Sequence, residues 1–454
     1  MADSAPGLLW YAMVRPSRRK SPTLRLTPLM AGVGAAACLA GAIGLALDAG
    51  LGLAPLRADV TGIGRYGDAV FVIDPGRALL LASVALAAGA WMVATIGRRD
   101  TRPAPVAIGL VLAGAAAILA QGLFTGLFAG LGALVLTALM TARRQMPHAL
   151  SLVVMPAVIV AVVGFDLPGA ALDAASPFLL AGGAIAMLAG AVVATRTLDL
   201  FRMAAALALG WTGLAVLSLG LGDPGAAGLA IGANAVIVAA IGLIGVTLFE
   251  ATGTVSLDWL GGLARGMPRF ALLMLGVFGF VGVLPPGPGF AAMAGVMARA
   301  IREGDVMIVA ALGVWIALMA FAALRGFGLA ALGRPRSLRA AAAEDAERPV
   351  LIALGLLLAG GLVLGLARWA DFVLAVALIV IAFGVRAWLV RSEPAEIVGF
   401  DDGFARPPAW LPFGDPATQI TATGFALSMV APAWAARWTG MSVTAWRRLR
   451  ARSG

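Results

Sequence analysis

Pro268-Arg-Phe-Ala-Leu-Leu-Met-Leu-Gly-Val-Phe-Gly-Phe-Val-Gly-Val-Leu-Pro-Pro-Gly-Pro-Gly-Phe-Ala-Ala-Met-Ala-Gly-Val-Met-Ala-Arg-Ala-Ile-Arg-Glu303 is the stretch on which the topology turns. It is apolar and too long for one straight membrane helix, and Pro285, Pro286, Gly287, Pro288 and Gly289 interrupt it. Proline removes a backbone donor and clashes with the preceding helical turn, so no regular helix continues through this cluster. Two readings compete. If the prolines form a loop between two full spans, the arginine-rich stretch from Arg325 to Arg348 and the basic tail lie on the opposite side from the other basic loops. If they break one span into two half-helices, every basic loop returns to one side, as the positive-inside rule requires. The broken helix is preferred, because non-helical backbone is tolerated at membrane depth when other helices bury it.

Working outward, the rest of the chain is membrane-grade. Hydrophobic residues make up 61% and charged residues 12% of 454, and the mean hydropathy is +0.97. A soluble domain carries about 25% charged residues. Apolar runs long enough for a hydrocarbon core of about 30 Å predict spans at 28–50, 76–97, 103–120, 122–142, 148–165, 176–195, 203–221 and 226–249. The broken helix follows, then spans at 305–325, 349–367 and 372–391. The expected architecture is an all-α polytopic membrane bundle of about 12 crossings. Residues 1–27 form a basic cytoplasmic N-terminus without the features of a cleavable signal. Residues 28–391 form the bundle, and 392–454 a polar linker followed by a basic interfacial helix or a further span.

Arg15, Arg18, Arg19, Lys20 and Arg25 assign the N-terminus to the cytoplasm, with Arg98, Arg99, Arg102, Arg143, Arg144, Arg196 and Arg202 on the same side. The opposite loops carry Asp166, Asp173 and Asp223. The loop from Arg57 to Arg77 is mixed. Both termini are expected on the cytoplasmic side of a bacterial inner membrane.

Protonatable groups are scarce. The chain has a single lysine, Lys20, and a single histidine, His148, neither inside an apolar run. Arginine supplies nearly all the positive charge and stays protonated, so a proton relay lacks its usual parts. The net charge of +10 sits in loops and termini, which fits lipid headgroups rather than nucleic acid. Cys38 is the lone cysteine, which excludes intrachain disulfides and cysteine metal centres. No nucleophile–base pair and no phosphate-binding loop is present. No catalytic, cofactor-binding or metal-binding residues are assigned, and no cofactor is expected.

Ordered motifs add a resemblance. Ala251-Thr-Gly-Thr-Val-Ser-Leu-Asp-Trp-Leu-Gly-Gly-Leu-Ala-Arg-Gly-Met-Pro268, followed by Leu284-Pro-Pro-Gly-Pro-Gly-Phe290, resembles the antiporter-like membrane subunits of respiratory complex I and energy-converting hydrogenases. The nearest likeness within them is to the large membrane subunit of formate hydrogenlyase-type hydrogenases. Asp199-Leu-Phe-Arg202, the loop from Arg325 through Leu332-Gly-Arg-Pro-Arg-Ser337, and the segment 415–429 agree with it. The resemblance implies two inverted helical repeats, each with a broken helix, and a line of buried charges along the membrane midplane. It implies partners as well: other membrane subunits, the lipid bilayer, and quinone only through neighbouring subunits.

At the positions where the family carries its charges this chain differs. Gly132 stands where the family has glutamate, Asn234 where it has histidine, Val238 where it has lysine and Met293 where it has glutamate. Between 165 and 176 relatives carry two helices, and here only Asp166 to Ala175 remain. Asn234 reads as a helix-packing hydrogen-bonder or as a residual ion ligand. Arg325, matching a family lysine, reads as a snorkelling interfacial group or as a residual path residue. Arg299 and Arg302 belong to a helix end near water or face a neighbouring subunit. Together these features give a degenerate, shortened antiporter-like scaffold, a non-catalytic membrane subunit of a hydrogenase-like redox complex with a structural or assembly role. The alternative is a proton or cation transporter, alone or in a complex, that uses a non-standard path.

Overall fold

Apolar side chains recur along nearly every segment without a polar stripe, so the helices satisfy their own backbone groups and leave side chains to pack or to meet lipid. The computed structural model describes residues 26–51, 56–60, 69–96, 104–121, 129–135, 148–166, 169–333 and 335–366, with scattered positions between 373 and 387. Its long helices are α1 (Leu26–Leu51), α2 (Pro75–Thr95), α3 (Ala104–Leu119), α4 (His148–Ala161), α5 (Gly169–Arg196), α6 (Leu200–Gly220), α7 (Pro224–Thr252), α8 (Pro268–Val281), α9 (Pro288–Glu303), α10 (Val306–Ala331) and α11 (Arg348–Gly365). Six helices among the described residues are long and apolar enough to cross a membrane: α2, α5, α6, α7, α10 and α11. The basic N-terminus and the tail from 392 lie outside the described residues, as do most of the expected spans at 122–142 and 372–391.

Helix α7 is the axis of the bundle. Its 29 residues span about 43 Å at 1.5 Å per residue, and it packs against α2, α4, α6, α8, α9 and α11. Its most apolar window is entirely buried, whereas only a third of the corresponding window is buried in α5, α10 and α11. A helix apolar all round belongs inside a bundle. The peripheral helices keep outward faces such as Phe178, Ile185, Leu324 and Val363 exposed.

The contacts sort the helix ends into two levels. Arg325 of α10 reaches the carbonyls of Thr195 and Thr197 at the end of α5, the amide of Gly262 donates to the Leu332 carbonyl, and Asp345 accepts from the amides of Arg269 and Phe270 that start α8. One end of the bundle therefore gathers 195–202, 252–270 and 325–348, with Arg196, Arg202, Arg265, Arg269, Arg336, Arg339 and Arg348. At the other end Ser176 bonds the Gly220 carbonyl, and Asp223 and Asp305 cap α7 and α10.

This sorting decides between the two readings of the proline cluster. Helix α8 starts at the arginine-rich end, and α9 finishes at the opposite end, where α10 begins its return. Between them, Gly289 packs on Trp211, halfway along α6, and Gly365 of α11 backs onto the Pro286 carbonyl. The two half-helices thus make one broken crossing, and the Arg325–Arg348 stretch returns to the basic end. At the break, Val283 adopts a left-handed φ of 59° at the position after the helix where glycine is usual. Its side chain is buried, which offsets a backbone cost of about 1–2 kcal/mol.

Two expectations need correction. The mixed loop from Arg57 to Arg77 holds a β-hairpin: β1 (Leu56–Val60) pairs antiparallel with β2 (Ala69–Ile73), which pairs in turn with β3 (Ala120–Gln121). The β-branched and aromatic run Ala69-Val-Phe-Val-Ile73, with Gly67 and Asp68 before it, was the available signal. Helix α5 begins at Gly169 rather than 176 and carries Pro177 internally, so the short segment after Asp166 is absorbed into a helix.

Candidate functional site

The candidate positions converge on α7 and its neighbours, and each side chain can be followed to what it touches. Pro156 lies inside α4 and has no amide to bond the carbonyl four residues back, that of Leu152. The Asn234 Nδ2 group of α7 donates to this carbonyl at 3.0 Å. Asn234 is completely buried. It joins two helices at a proline-made defect, which is the helix-packing role expected for an amide in lipid. Its Oδ1 atom has no hydrogen-bond partner among the described residues.

Val238 lies one turn further along α7 and is fully buried. Met293 sits half-buried on α9, packed against the core. Gly132 falls in the helical segment 129–135, exposed, with open space where a side chain would stand. The structure therefore brings Asn234 and Val238 onto the bundle axis and places Met293 in the second half of the broken helix that packs against it. Gly132 stands apart on the outside. Trp91 of α2 donates to the Ala239 carbonyl of the same axis at 3.2 Å.

Arg325 does not snorkel outward alone. It lies half-buried in the last third of α10 and donates from one guanidinium nitrogen to the carbonyls of Thr195 at 2.8 Å and Thr197 at 2.9 Å. The last carbonyls of a helix have no partner within it and carry its negative dipole end, so a fixed cation there is favourable. Asp258 is close enough to act on Arg325 electrostatically. Arg299 pairs with Glu303 at 2.5 Å on the exposed end of α9, and Arg302 folds back on the Ala298 carbonyl.

A second buried arginine was missed in the sequence. Arg77, in the first turn of α2, is 3% exposed. It donates to the Ala120 carbonyl at 2.6 Å and to the Leu119 carbonyl at 3.1 Å, lies 3.4 Å from Asp74 and 5.7 Å from the centre of the Phe165 ring. It ties the start of α2 to the α3–β3 junction as Arg325 ties α10 to the end of α5. The signal was Asp74-Pro75-Gly-Arg77, an N-cap aspartate and a first-turn proline with arginine three residues on.

Among the described residues no three His, Cys, Asp or Glu side chains come together. The ionisable side chains of α5 to α11 lie toward helix ends: Asp173, Arg196, Arg202, Glu250, Arg269, Arg299, Arg302, Glu303, Arg325 and Arg348. Among the described residues the arrangement offers helix-to-helix hydrogen bonds and capped helix ends.

The class so defined is a polytopic membrane helix bundle with a broken helix packed on a buried axis. No protein-family model and no curated protein matches the sequence. The fold matches chains of three solved complexes. One belongs to the membrane-bound sulfane sulfur reductase, an archaeal respiratory membrane complex (TM-score 0.68, 13% identity, 95% of this chain and 92% of that one). Another is in the Mrp complex of Dietzia sp. DQ12-45-1b (TM-score 0.57, 16% identity, 77% and 91%). A third is in respiratory complex I of Thermus thermophilus (TM-score 0.55, 20% identity, 75% and 94%). At these identities the likeness is one of fold, and it is the fold expected from the motifs around 251–290.

Proposed function

We propose that this chain is a membrane subunit of a multi-subunit redox complex related to complex I and the energy-converting hydrogenases, of formate hydrogenlyase type, whose proton path is largely lost. It anchors and packs against neighbouring membrane subunits that contain the quinone site or the working channels. Both termini face the cytoplasm of a bacterial inner membrane, in keeping with the arginines gathered at one end of the bundle.

The observation that carries this reading is the axis itself. Asn234 is committed to the carbonyl that Pro156 leaves open, and Val238, one turn on, is apolar and fully buried. A charge in lipid is costly unless function holds it there, so a subunit released from conduction sheds its buried charges and keeps its packing.

The test is purification of the native complex, identification of its subunits, and proton pumping by reconstituted vesicles carrying Asn234→Ala or Arg325→Ala. Pumping per turnover is expected to be unchanged as long as assembly is intact. Loss of pumping in an assembled complex would overturn the reading. The fold shared with a chain of the Mrp complex supports the alternative, a transporter using a non-standard path. For that alternative, the chain reconstituted without partners would itself carry proton or cation flux.

A further inference from the structure

Among the glycines through which helices α5 and α6 approach, one is not explained by the approach. A methyl group on Gly183, Gly190 or Gly213 would run into backbone atoms of the facing helix, at Leu217, Gly210 and Met187 respectively. Glycine at those three positions is what lets the two backbones meet. Gly210 is different. A methyl group there would lie 3.6 Å from the Met187 carbonyl oxygen, 3.7 Å from Trp315 Nε1 and 3.8 Å from the Ala191 amide nitrogen, all ordinary contacts. The packing would admit alanine, and glycine leaves an atom-sized notch with polar atoms on its walls.

The wall contributed by α10 carries an independent sign. Trp315 is fully buried, and its Nε1 has no acceptor among the described residues; the same holds for Trp211. The two rings meet edge to face with centroids 5.0 Å apart. A buried indole N–H usually finds a partner, and leaving it without one incurs its full desolvation penalty. The Met187 carbonyl, beside it, has a second lone pair beyond its helical bond.

We propose that the notch at Gly210 binds a single water molecule, which accepts a hydrogen bond from Trp315 Nε1 and donates one to the Met187 carbonyl. Buried waters occur about once per 27 residues and bridge polar groups that lack partners. This water ties α10 to α5 across α6 in the middle of the bundle. No titratable side chain of these three helices lies at that depth, the nearest in sequence being Arg196 at the end of α5, Arg202 on α6, Asp305 before α10 and Arg325 towards its far end. The water therefore bridges helices, and none of these three offers it a titratable partner at that depth.

The experiment uses the full-length protein in lipid nanodiscs with nitrogen-15-labelled indoles. The Trp315 Nε1 resonance is assigned by its disappearance in Trp315→Phe. A magnetisation-transfer cross-peak between this proton and a long-lived water is expected in the wild type, and its loss is expected in Gly210→Ala. Absence of the peak in the wild type, or its survival in Gly210→Ala, would overturn the proposal. Stability gives a second reading by sign. Gly210→Ala is expected to lower the melting midpoint when Trp315 is present, because the water is expelled and the indole N–H stranded. In the Trp315→Phe background the same change is expected to leave the midpoint unchanged or raise it. An equal rise in both backgrounds would mean a dry gap, with the indole N–H directed onto the neighbouring ring, and would refute the water.

Discussion

Asn234 is present to serve a carbonyl that Pro156 frees, and this can be tested as a coupling between two residues on different helices. Replacing Asn234 by leucine removes the 3.0 Å bond to the Leu152 carbonyl. Hydrogen bonds between membrane helices are worth about 0.6 kcal/mol on average and about 1.7 at most. A buried carbonyl left without a partner pushes the loss toward the upper value. Against this stands Oδ1, which has no partner among the described residues, so its removal returns part of the cost. The net destabilisation by Asn234→Leu is expected at about 1 kcal/mol. Asn234→Ala should cost more, because it also opens a cavity on a fully packed helix. In the Pro156→Ala background the restored amide bonds the Leu152 carbonyl itself, so Asn234→Leu should cost nothing further. The coupling energy between the two sites is therefore expected at about 1 kcal/mol. Reversible unfolding of the four purified variants in mixed micelles by SDS titration measures it. Additivity within about 0.5 kcal/mol, the usual scatter for independent sites, would refute the pairing of defect and clasp.

Arg325→Met is expected to destabilise by about 1–2 kcal/mol, because two carbonyls at the end of α5 lose a charged donor; Arg325→Lys should recover only part of this, as measured by the same titration. Asp345→Ala removes the acceptor for the amides of Arg269 and Phe270 and should cost about 1 kcal/mol, the usual worth of an N-cap, with increased hydrogen exchange confined to the first turn of α8. Gly190→Leu and Gly213→Leu drive a side chain into the backbone of the facing helix and should abolish accumulation of folded protein in the membrane, seen as loss of the monodisperse peak after extraction, whereas Gly182→Leu, with open space around it, should be tolerated. Arg77→Met should loosen the α3–β3 junction, read as increased protease sensitivity of the hairpin while the mid-bundle amides of α7 keep their exchange protection.

What could be read from residues alone follows from the physics of each signal. Apolar run length is set by bilayer thickness, so α2, α6, α7 and α11 lie within a few residues of their predicted bounds. The charge asymmetry of the loops selected the broken helix correctly, since it sums over many arginines and survives errors at single boundaries. The hairpin was lost because a five-residue strand is a weak signal beside spans four times longer. Helix α5 starts seven residues earlier than expected and runs through Pro177, as a membrane helix tolerates proline where neighbours satisfy the freed groups. The identity of the buried amide was visible, but its purpose was not: nothing local connects Asn234 to Leu152, which stands 82 residues earlier. The same limit hid the notch at Gly210, where Trp315 of α10, more than 100 residues on, supplies a wall.

The two buried arginines explain how a chain nearly without lysine and histidine still places charge within its bundle. Arg77 and Arg325 lie on different helices near opposite ends, yet each donates to two consecutive or near-consecutive carbonyls where another helix terminates. A helix end buried in protein at the membrane boundary has carbonyls that neither water nor its own amides can satisfy. Guanidinium suits that duty: it presents five donors in a rigid plane and does not lose its proton. Lysine at these places would bring a charge able to titrate when desolvated, which a conducting subunit would exploit and a structural one has no use for. On the proposed non-conducting role, arginine at the helix ends and the apolar residues at Val238 and Met293 along the axis are one and the same choice.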